Sequence, residues 1–346
     1  MSISASIHAL HETAVPERVG DRTSARIKDV RELVEREMAE VEALVGTHVE
    51  RGVAPATDSA RHLFGSGGKR VRPMAVLLAC ACFGTVNTCA RDLAAAAELV
   101  HMATLLHDDV IDDGDQRRGR PTSRRIWGNA VSVLAGDLLL VEALRLAGSA
   151  TARTWTELVA TLGKLVDGEV VQLRGRLAVT LAESTYFEIV RGKTASLFEW
   201  ALRAGAREGG APESFVDELG TFGAHLGVAF QLVDDVLDYD GEACVTGKAL
   251  LADLHEGKVT LPLVLASQVD PEIEPLVAAV RRQDESSAAA AAEIATRVRA
   301  SGACDRVRER ARTETTAALA ALGRVPECRA REILFEVART MTARVM

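Results

Sequence analysis

The chain has 346 residues, 48% of them hydrophobic and only 4% aromatic, and this composition favours helices over strands in a core of one large domain or two. Its formal net charge of −8 argues against a nucleic-acid binder, which normally presents a basic face. The six scattered cysteines do not make a disulfide framework, and the lack of a secretory pattern or of an apolar run of ~18 residues predicts a cytoplasmic protein without a transmembrane segment.

The predicted elements are helices throughout. Residues 1–22 have no regular apolar period and are expected to form a loose leader, followed by one helical domain over 23–346. The first helix is predicted over 24–50, where apolar residues recur every three or four positions. Further helices, separated in most places by Gly or Pro, are predicted over 71–83, 90–112, 128–148, 152–176, 183–206, 213–239, 260–268, 272–282, 285–301, 303–322 and 326–345. No segment alternates as a strand does, so the predicted fold class is all-α.

The first acidic motif lies near the end of the predicted helix 90–112. The sequence LLHDDVIDDGD contains Asp108, Asp109 and Asp112. On a helix, Asp108 and Asp112 are one turn apart and share a face, where two carboxylates repel each other. For this motif taken alone, a solvated acidic helix end is as good an interpretation as a metal site.

A second acidic motif with the same spacing changes that balance. FQLVDDVLDYDG places Asp234, Asp235 and Asp238 in strongly apolar sequence, where unpaired charge is costly, so these carboxylates are expected to be paired or to bind metal. Two such motifs indicate facing helices with metal ions between them. Oxygen ligands favour hard cations, and Mg²⁺ typically combines one or two carboxylates with phosphate oxygens. With Mg²⁺ bound, two acidic helices become a clamp for a departing diphosphate.

Basic residues precede the first acidic motif. GSGGKRVRP places Lys69 and Arg72 directly after two glycines; a basic loop at a helix start is common, but a second phosphate site made of direct ion pairs is the alternative. His101 lies seven residues before Asp108, about two helical turns, so the two side chains share one stripe. A lone histidine on an apolar helix is more often structural, but this shared stripe favours a functional role.

Further cations follow the two motifs. Arg117 and Arg118 stand just after the first motif, in DQRRGRPT. Such a pair is usually exposed to solvent, although here it is also placed to cap a phosphate pocket. The remaining candidates, each weak by itself, are Lys193 beside Thr194, and Lys248 and Lys258 after the second motif.

Five segments, in order, resemble the successive signatures of trans-prenyl (polyprenyl) diphosphate synthases. They are GGKRVRP, ELVHMATLLHDDVIDDGDQRRGRPT, GKTASLF, FQLVDDVLDY and DLHEGKVTLPL. The resemblance implies a single-domain helical bundle of isoprenoid synthase type around a deep central cavity, usually a homodimer. It also implies a prenyltransferase that joins isopentenyl diphosphate head to tail to an allylic diphosphate by 1′-4 trans addition. In that reaction the allylic substrate ionises, the double bond attacks the cation, and a proton is lost to the departing diphosphate.

The same resemblance assigns roles to individual residues. Mg²⁺, three ions per active site with diphosphate bound, would be held by Asp108, Asp112, Asp234 and Asp238. The catalytic set would be Asp108, Asp109, Asp112, Arg117, Lys193, Asp234 and Asp235. Isopentenyl diphosphate would be bound by Lys69, Arg72, His101 and Arg118. The allylic diphosphate would be surrounded by Arg117, Lys193, Thr194, Gln231, Lys248 and Lys258.

Product length is predicted from the residues one turn before the first motif. In the family, bulky aromatic residues at the positions of Ala103 and Thr104 stop growth at fifteen carbons, and here both side chains are small. Leu138 replaces an aromatic residue that is usual in the family. These features predict a polyprenyl diphosphate of twenty carbons or more, with a long-chain product favoured.

Several alternatives remain open. A shorter-chain farnesyl or geranylgeranyl diphosphate synthase would share every motif. A class I terpene cyclase, like a head-to-head synthase, would be expected to lack the second acidic motif and the GGKR segment, because a cyclase needs no second diphosphate substrate. A non-catalytic subunit of a heteromeric synthase would tend to lose the acidic motifs, and both are intact here.

Overall fold

The computed structural model describes residues 21–177, 181–240, 252–281 and 287–342. Within these ranges the regular elements are helices and one two-stranded hairpin, which confirms the all-α fold class. The helices are α1 (Asp21–Val49), α2 (Ala56–Phe64), α3 (Val71–Ala81), α4 (Thr88–Ile111), α5 (Ser123–Trp127), α6 (Asn129–Ala147), α7 (Ala152–Leu177), α8 (Glu183–Val190), α9 (Ser196–Glu208), α10 (Glu213–Asp240), α11 (Ala252–His255), α12 (Leu261–Ser267), α13 (Ile273–Arg281), α14 (Ser287–Ala300), α15 (Ala303–Gly323) and α16 (Arg329–Thr342). The strands are β1 (Gln116–Arg117) and β2 (Arg120–Pro121), and a π-helical segment, Arg191–Ala195, joins α8 to α9.

The predicted helices agree with the structure to within a few residues, with one exception. The helix predicted over 183–206 is divided into α8, the π segment and α9. At the amino end, α1 begins at Asp21, inside the predicted leader, whose residues 1–20 lie outside the described part of the chain. None of the described helices combines the length and apolar character needed to span a bilayer.

The chain contacts divide the molecule into two compact units. Unit 1 consists of the described residues up to Leu158 together with Trp200–Gly220 and Leu322–Thr340. Unit 2 consists of the described parts of Val159–Glu199, of Thr221–Ala321 and of the residues after Thr340. The first acidic motif belongs to unit 1, and the second belongs to unit 2.

Helix α4 is the central helix of unit 1. Asn87 caps its amino end by accepting a hydrogen bond from the backbone N–H of Ala90, at 2.8 Å, as a good N-cap residue does. From Leu93 to Val100 every side chain of α4 is buried, and the helix packs against α6, α3 and α1. Because this stretch is rich in alanine, neighbouring helices can approach α4 closely on all sides. The carboxyl half of α4 is therefore a well-supported platform for His101 and the first acidic motif.

The core of unit 2 supports the second acidic motif in a comparable way. Helix α8, the π segment and helices α10–α15 contribute its buried apolar side chains. Pro262 in the first turn of α12 follows the N-cap Thr260, a position where the missing backbone N–H costs nothing. Tyr186 of α8 and Val236 and Tyr239 of α10 are all buried in this core, so packing places α10 beside α8.

Candidate active site

The three aspartates of the first motif differ in exposure. Asp108 and Asp112 are partly exposed at the carboxyl end of α4, whereas Asp109 is buried. The backbone N–H of Asp112 donates to the carbonyl of Asp108 at 2.8 Å, which keeps these two residues one helical turn apart. The spacing therefore puts two carboxylates on one partly exposed side of the helix end, as the sequence predicts.

Asp109 is held by a basic residue of the hairpin. Arg117 donates two hydrogen bonds to Oδ1 of Asp109, from Nε at 3.0 Å and from Nη2 at 2.8 Å. The backbone N–H of Gly114 also donates to the carbonyl of Asp109, at 3.0 Å. A buried carboxylate needs such donors, and in return it fixes the direction of the Arg117 side chain.

The hairpin joins the first motif to the basic cluster. Its two-residue turn, Arg118–Gly119, has φ angles of 53° and 73°, as a tight hairpin turn requires. The remaining acidic residues of this region, Asp113 and Asp115, form ion pairs with Arg124 at 3.0 and 3.4 Å. The acidic residues of this segment thus fall into two sets: Asp113 and Asp115 pair with Arg124 of α5, and the three aspartates of the first motif lie at the end of α4.

A buried ion pair organises the GGKR segment. Arg70, in the left-handed region with a φ of 50°, donates from Nη1 to Oε1 of Glu98 on α4 at 2.5 Å, and both side chains are buried. A Cβ added to Gly68 would lie 3.2 Å from Nη1 of Arg70 and 3.3 Å from Nη1 of Arg118. The two guanidinium groups therefore flank the backbone of Gly68, and Lys69 is exposed beside them.

Positive charge accumulates around His101. Burial lowers the pKa of Arg72 to about 10, against the opposing attraction of Glu98. The pKa of Arg118 is also lowered, by burial and by the nearby Arg117 and Arg70. Burial, and after it the same arginines, hold the pKa of His101 well below its usual value, so its imidazole is neutral at neutral pH. Neighbouring guanidinium groups repel each other, and a bound anion would relieve this repulsion.

The second motif, on α10, is more deeply placed than the first. Asp235 and Asp238 are buried and Asp234 is partly exposed. Burial and, after it, the nearby Asp253 raise the pKa of Asp235 to about 7. Asp253, on α11, was not singled out from the sequence, because only the fold brings it towards Asp235.

A chain of hydrogen bonds connects Asp235 to the π segment and to α8. The hydroxyl of Thr194 donates to Oε1 of Gln231 at 2.9 Å, and Nε2 of Gln231 donates to Oδ1 of Asp235 at 2.8 Å. The buried phenol of Tyr186 donates to Oδ2 of Asp235 at 2.6 Å. Both oxygens of Asp235 thus accept hydrogen bonds from within unit 2.

The π segment places Lys193 against α7. Its ammonium group forms an ion pair with Glu169. A Cβ added to Gly192 would lie 2.8 Å from the carbonyl oxygen of Lys164, and one added to Gly168 would lie 3.0 Å from the backbone nitrogen of Lys193. The two backbones approach this closely only because both contact positions are glycine. Single π-helical turns within α-helices frequently occur at functional sites.

Comparisons with known proteins agree with these features. The family model described as "Polyprenyl synthetase" matches residues 54–298. The all-trans-nonaprenyl-diphosphate synthase (geranyl-diphosphate specific) of Rhodobacter capsulatus is 36% identical over 322 residues, which cover 92% of this chain and 98% of that protein. Component 2 of the heptaprenyl diphosphate synthase of Geobacillus stearothermophilus is 38% identical over 257 residues, or 74% of this chain and 80% of that one. The crystal structure of a polyprenyl synthase from Caulobacter crescentus CB15, complexed with calcium and isoprenyl diphosphate, has a TM-score of 0.86 and 35% identity, covering 96% of this chain and 100% of that one.

The chain belongs to the polyprenyl synthetase family. It is a trans-polyprenyl diphosphate synthase, a prenyltransferase of isoprenoid biosynthesis that uses prenyl diphosphates. The predicted enzyme class and the isoprenoid synthase fold are confirmed. The Caulobacter protein holds a divalent metal, calcium, together with isoprenyl diphosphate.

In this polyprenyl synthetase the two residues predicted to control product length differ in burial. Ala103 is wholly buried, whereas Thr104 is partly exposed and its hydroxyl donates to the carbonyl of His101 at 2.8 Å. The methyl groups of Leu138 lie 3.0 Å from a Cβ built on Gly52. Of the two positions predicted to control product length, Thr104 therefore has the more accessible side chain.

Of the two lysines after the second motif of this polyprenyl synthetase, Lys258 lies within the described residues and Lys248 does not. Lys258 forms an ion pair with Glu256 at 2.5 Å, and its backbone N–H donates to the carbonyl of Asp253 at 2.8 Å. Three residues that the sequence did not single out also belong to the basic or acidic networks: Glu98, Glu169 and Tyr186.

Proposed function

We propose that this enzyme binds two diphosphates at once and extends the allylic one by head-to-tail addition of isopentenyl diphosphate. The observation that carries the proposal is the group of arginines around neutral His101 in unit 1: Arg72 lies near it, and Arg70 and Arg118 flank the backbone of Gly68. A condensing enzyme needs such a site for the diphosphate that stays intact, whereas a cyclase does not. Neutral His101 is suited to donate a hydrogen bond to a phosphate oxygen, and the arginines supply the charge.

We propose Mg²⁺ as the metal, with three ions per active site. The donor set fits: Asp108 and Asp112 offer hard carboxylate oxygens one helical turn apart, and Asp234 and Asp238 repeat that spacing on α10. Among the described residues no three His, Cys, Asp or Glu side chains form a ready-made metal cluster. Magnesium commonly takes one or two carboxylates and completes its shell with water and substrate phosphate oxygens. When bound, the metal would stabilise the charge of the leaving diphosphate.

The remaining predicted residues position the allylic diphosphate in this proposal. Arg117, oriented by Asp109, and Lys193, on the π segment, supply positive charge. Thr194 and Gln231 supply hydrogen-bonding groups, and Lys258 contributes a further cation. Lys248 and Lys69 keep their proposed roles in allylic and isopentenyl diphosphate binding, respectively.

The proposed product has twenty carbons or more, and a long-chain product is favoured. The small side chain of Thr104, partly exposed one turn before Asp108, supports this length. The relatives named above make nonaprenyl and heptaprenyl products. Purified enzyme incubated with Mg²⁺, radiolabelled isopentenyl diphosphate and geranyl, farnesyl or geranylgeranyl diphosphate tests the whole proposal by chromatography of the products. We expect products longer than fifteen carbons, and a product that stops at fifteen would contradict the proposed length.

We further propose a homodimer in the cytoplasm. Valines on one face of α7, at 159, 166 and 170, are 42–61% exposed, which is unusual for an apolar stripe with no covering partner. A second copy of the chain is the proposed cover; the relative named as component 2 of a synthase keeps a heteromeric partner as the alternative. The cysteines of the described residues are free thiols, as is usual in a reducing compartment.

A further inference from the structure

The phenol of Tyr186 contacts the middle aspartate of the second acidic motif from within the core of unit 2. Tyr186 lies on α8, is 5% exposed, and packs its ring edge-on against Phe187 at a centroid distance of 5.3 Å. Its hydroxyl donates to Oδ2 of Asp235 at 2.6 Å. Since a buried hydroxyl needs a partner, this contact fixes the relative positions of α8 and of the middle of the motif.

The other oxygen of Asp235 is engaged as well. Gln231, one turn earlier on α10, donates from Nε2 to Oδ1 at 2.8 Å, and its own Oε1 accepts from the hydroxyl of Thr194. This arrangement determines which way the Gln231 amide faces. A continuous chain of three hydrogen bonds therefore runs from the π segment, through α10, to α8.

We propose that Tyr186 is a positioning residue for the metal-binding aspartates of α10, and that Asp235 is its internal anchor rather than a metal ligand. This inference rests on the proposed function of Asp234 and Asp238 as magnesium ligands. Asp235 is 2% exposed with donors on both oxygens, while its neighbour Asp234 is partly exposed. Locking Asp235 into unit 2 fixes the rotation of α10, and with it the direction in which Asp234 and Asp238 are presented.

The cost of removing the phenol hydroxyl follows from its surroundings. Without it, Oδ2 of Asp235 loses its donor while the negative charges of Asp234 and Asp253 remain nearby. A buried carboxylate that has lost a donor rotates or shifts to find another. Tyr186 acts on the proposed ligand Asp234 through the adjacent Asp235, and removal of groups that orient a metal ligand typically lowers metal affinity by about tenfold or more.

The test uses the full-length Tyr186→Phe enzyme. We expect the Mg²⁺ concentration that gives half-maximal activity to rise about tenfold, with little change in the KM for isopentenyl diphosphate, whose proposed ligands lie in unit 1. Calorimetric titration of Mg²⁺ in the presence of inorganic pyrophosphate should show the same loss without turnover. Tyr239→Phe is the matched control: Tyr239 is the only other tyrosine, it is equally buried, and its hydroxyl accepts from Thr260 at 3.2 Å. It should leave Mg²⁺ binding nearly unchanged.

Two further variants separate positioning from a structural role. If Tyr186 acts through Asp235, the Tyr186→Phe change should have a smaller effect in an Asp235→Asn background than in the wild type. Asp234→Asn removes a proposed ligand and should weaken Mg²⁺ binding strongly, while Asp235→Asn should weaken it less.

Three results would overturn the inference. They are a Tyr186→Phe enzyme that loses melting temperature but keeps wild-type Mg²⁺ dependence, additive effects in the double variant, and equal Mg²⁺ losses for Asp234→Asn and Asp235→Asn. The last comparison decides the question even if Tyr186→Phe fails to fold. A wild-type enzyme that binds Mg²⁺ and pyrophosphate but makes no product with any primer would instead contradict the proposed function.

Discussion

Glu98 compensates a buried guanidinium and is, at the scale of single residues, the most consequential side chain that motif reading overlooks. It faces Arg70 within unit 1 and also attracts Arg72. Glu98→Gln would leave the buried Arg70 with the more exposed Glu42, at 3.2 Å, as its counter-charge, so we expect a loss of about 3 kcal/mol in the free energy of unfolding, the lower end for a broken buried pair, measured by urea denaturation. Glu50→Gln is the control, because Glu50 pairs with Arg61 where both side chains are about half exposed, and its loss should be much smaller because water screens an exposed ion pair. Equal losses for the two variants would contradict a buried role for Glu98.

Thr104 is the residue at which product length can be tested most directly. A Thr104→Phe change puts a ring one helical turn before Asp108, on the partly exposed side of α4, so we expect shorter products. The measurement is chromatography of products from farnesyl and isopentenyl diphosphates. Thr104→Val, which keeps the volume and loses only the hydroxyl bonded to His101, should leave product length unchanged. An unaltered product from Thr104→Phe would remove Thr104 from the chain-length determinants. A bulky side chain at Ala103 is a poorer test, because that position is wholly buried and the substitution would overpack the core.

At the scale of elements, the π segment depends on two glycines that allow it to touch α7. Gly192→Ala would place a methyl group 2.8 Å from the carbonyl oxygen of Lys164, closer than real Cβ contacts occur, so the backbone must move and take Lys193 with it. We expect a rise in the KM for the allylic primer of about tenfold, with a smaller change for isopentenyl diphosphate. Gly163→Ala, on α7 with open space around its Cβ, should preserve both constants and leave stability equal or slightly higher. Similar kinetics for the two variants would mean that this contact does not position Lys193.

The same elements show how far the sequence predicts the fold. Long amphipathic helices such as α7 and α10 are predicted to within a few residues, because many turns of apolar period average out local ambiguity. The π segment is not, since the helical pattern over 183–206 continues through it and the extra residue per turn is set by packing against Gly168. The hairpin of two-residue strands is too short to show alternation.

For the site, spacing along the chain identifies the groups that bear charge but not those that hold them. Asp108, Asp112 and Asp234 follow from the repeated motif. Tyr186 and Glu169 do not, because each acquires its role from a contact with a residue elsewhere in unit 2. A side chain outside the repeated motifs carries no spacing rule of its own, so its part in a charged network is apparent only once the helices are packed.

At the scale of the whole molecule, the exposed apolar face of α7 predicts the state of assembly. We expect light scattering to give twice the 36.9 kDa chain mass for the wild type, and Val166→Glu, at a position 61% exposed, to shift the mass towards that of one chain because it places a charge in an apolar interface. Val269→Glu is the control, since Val269 is equally exposed, at 59%, but lies in the turn after α12 and not on α7. A wild type of single-chain mass would contradict the homodimer. If the Val166→Glu enzyme still has twice the chain mass, the interface lies elsewhere.

The hairpin has a consequence for how the two substrates influence each other. Arg117 is held by Asp109 at the end of α4, and the next residue, Arg118, reaches the backbone of Gly68. If these neighbours serve different diphosphates, as proposed, two binding events share one short, tightly turned dipeptide. Ordering of the turn by the first ligand then lowers the entropic cost for the second, which is positive cooperativity without any large movement. Thermodynamic linkage makes this effect reciprocal: each diphosphate should strengthen the binding of the other by the same factor.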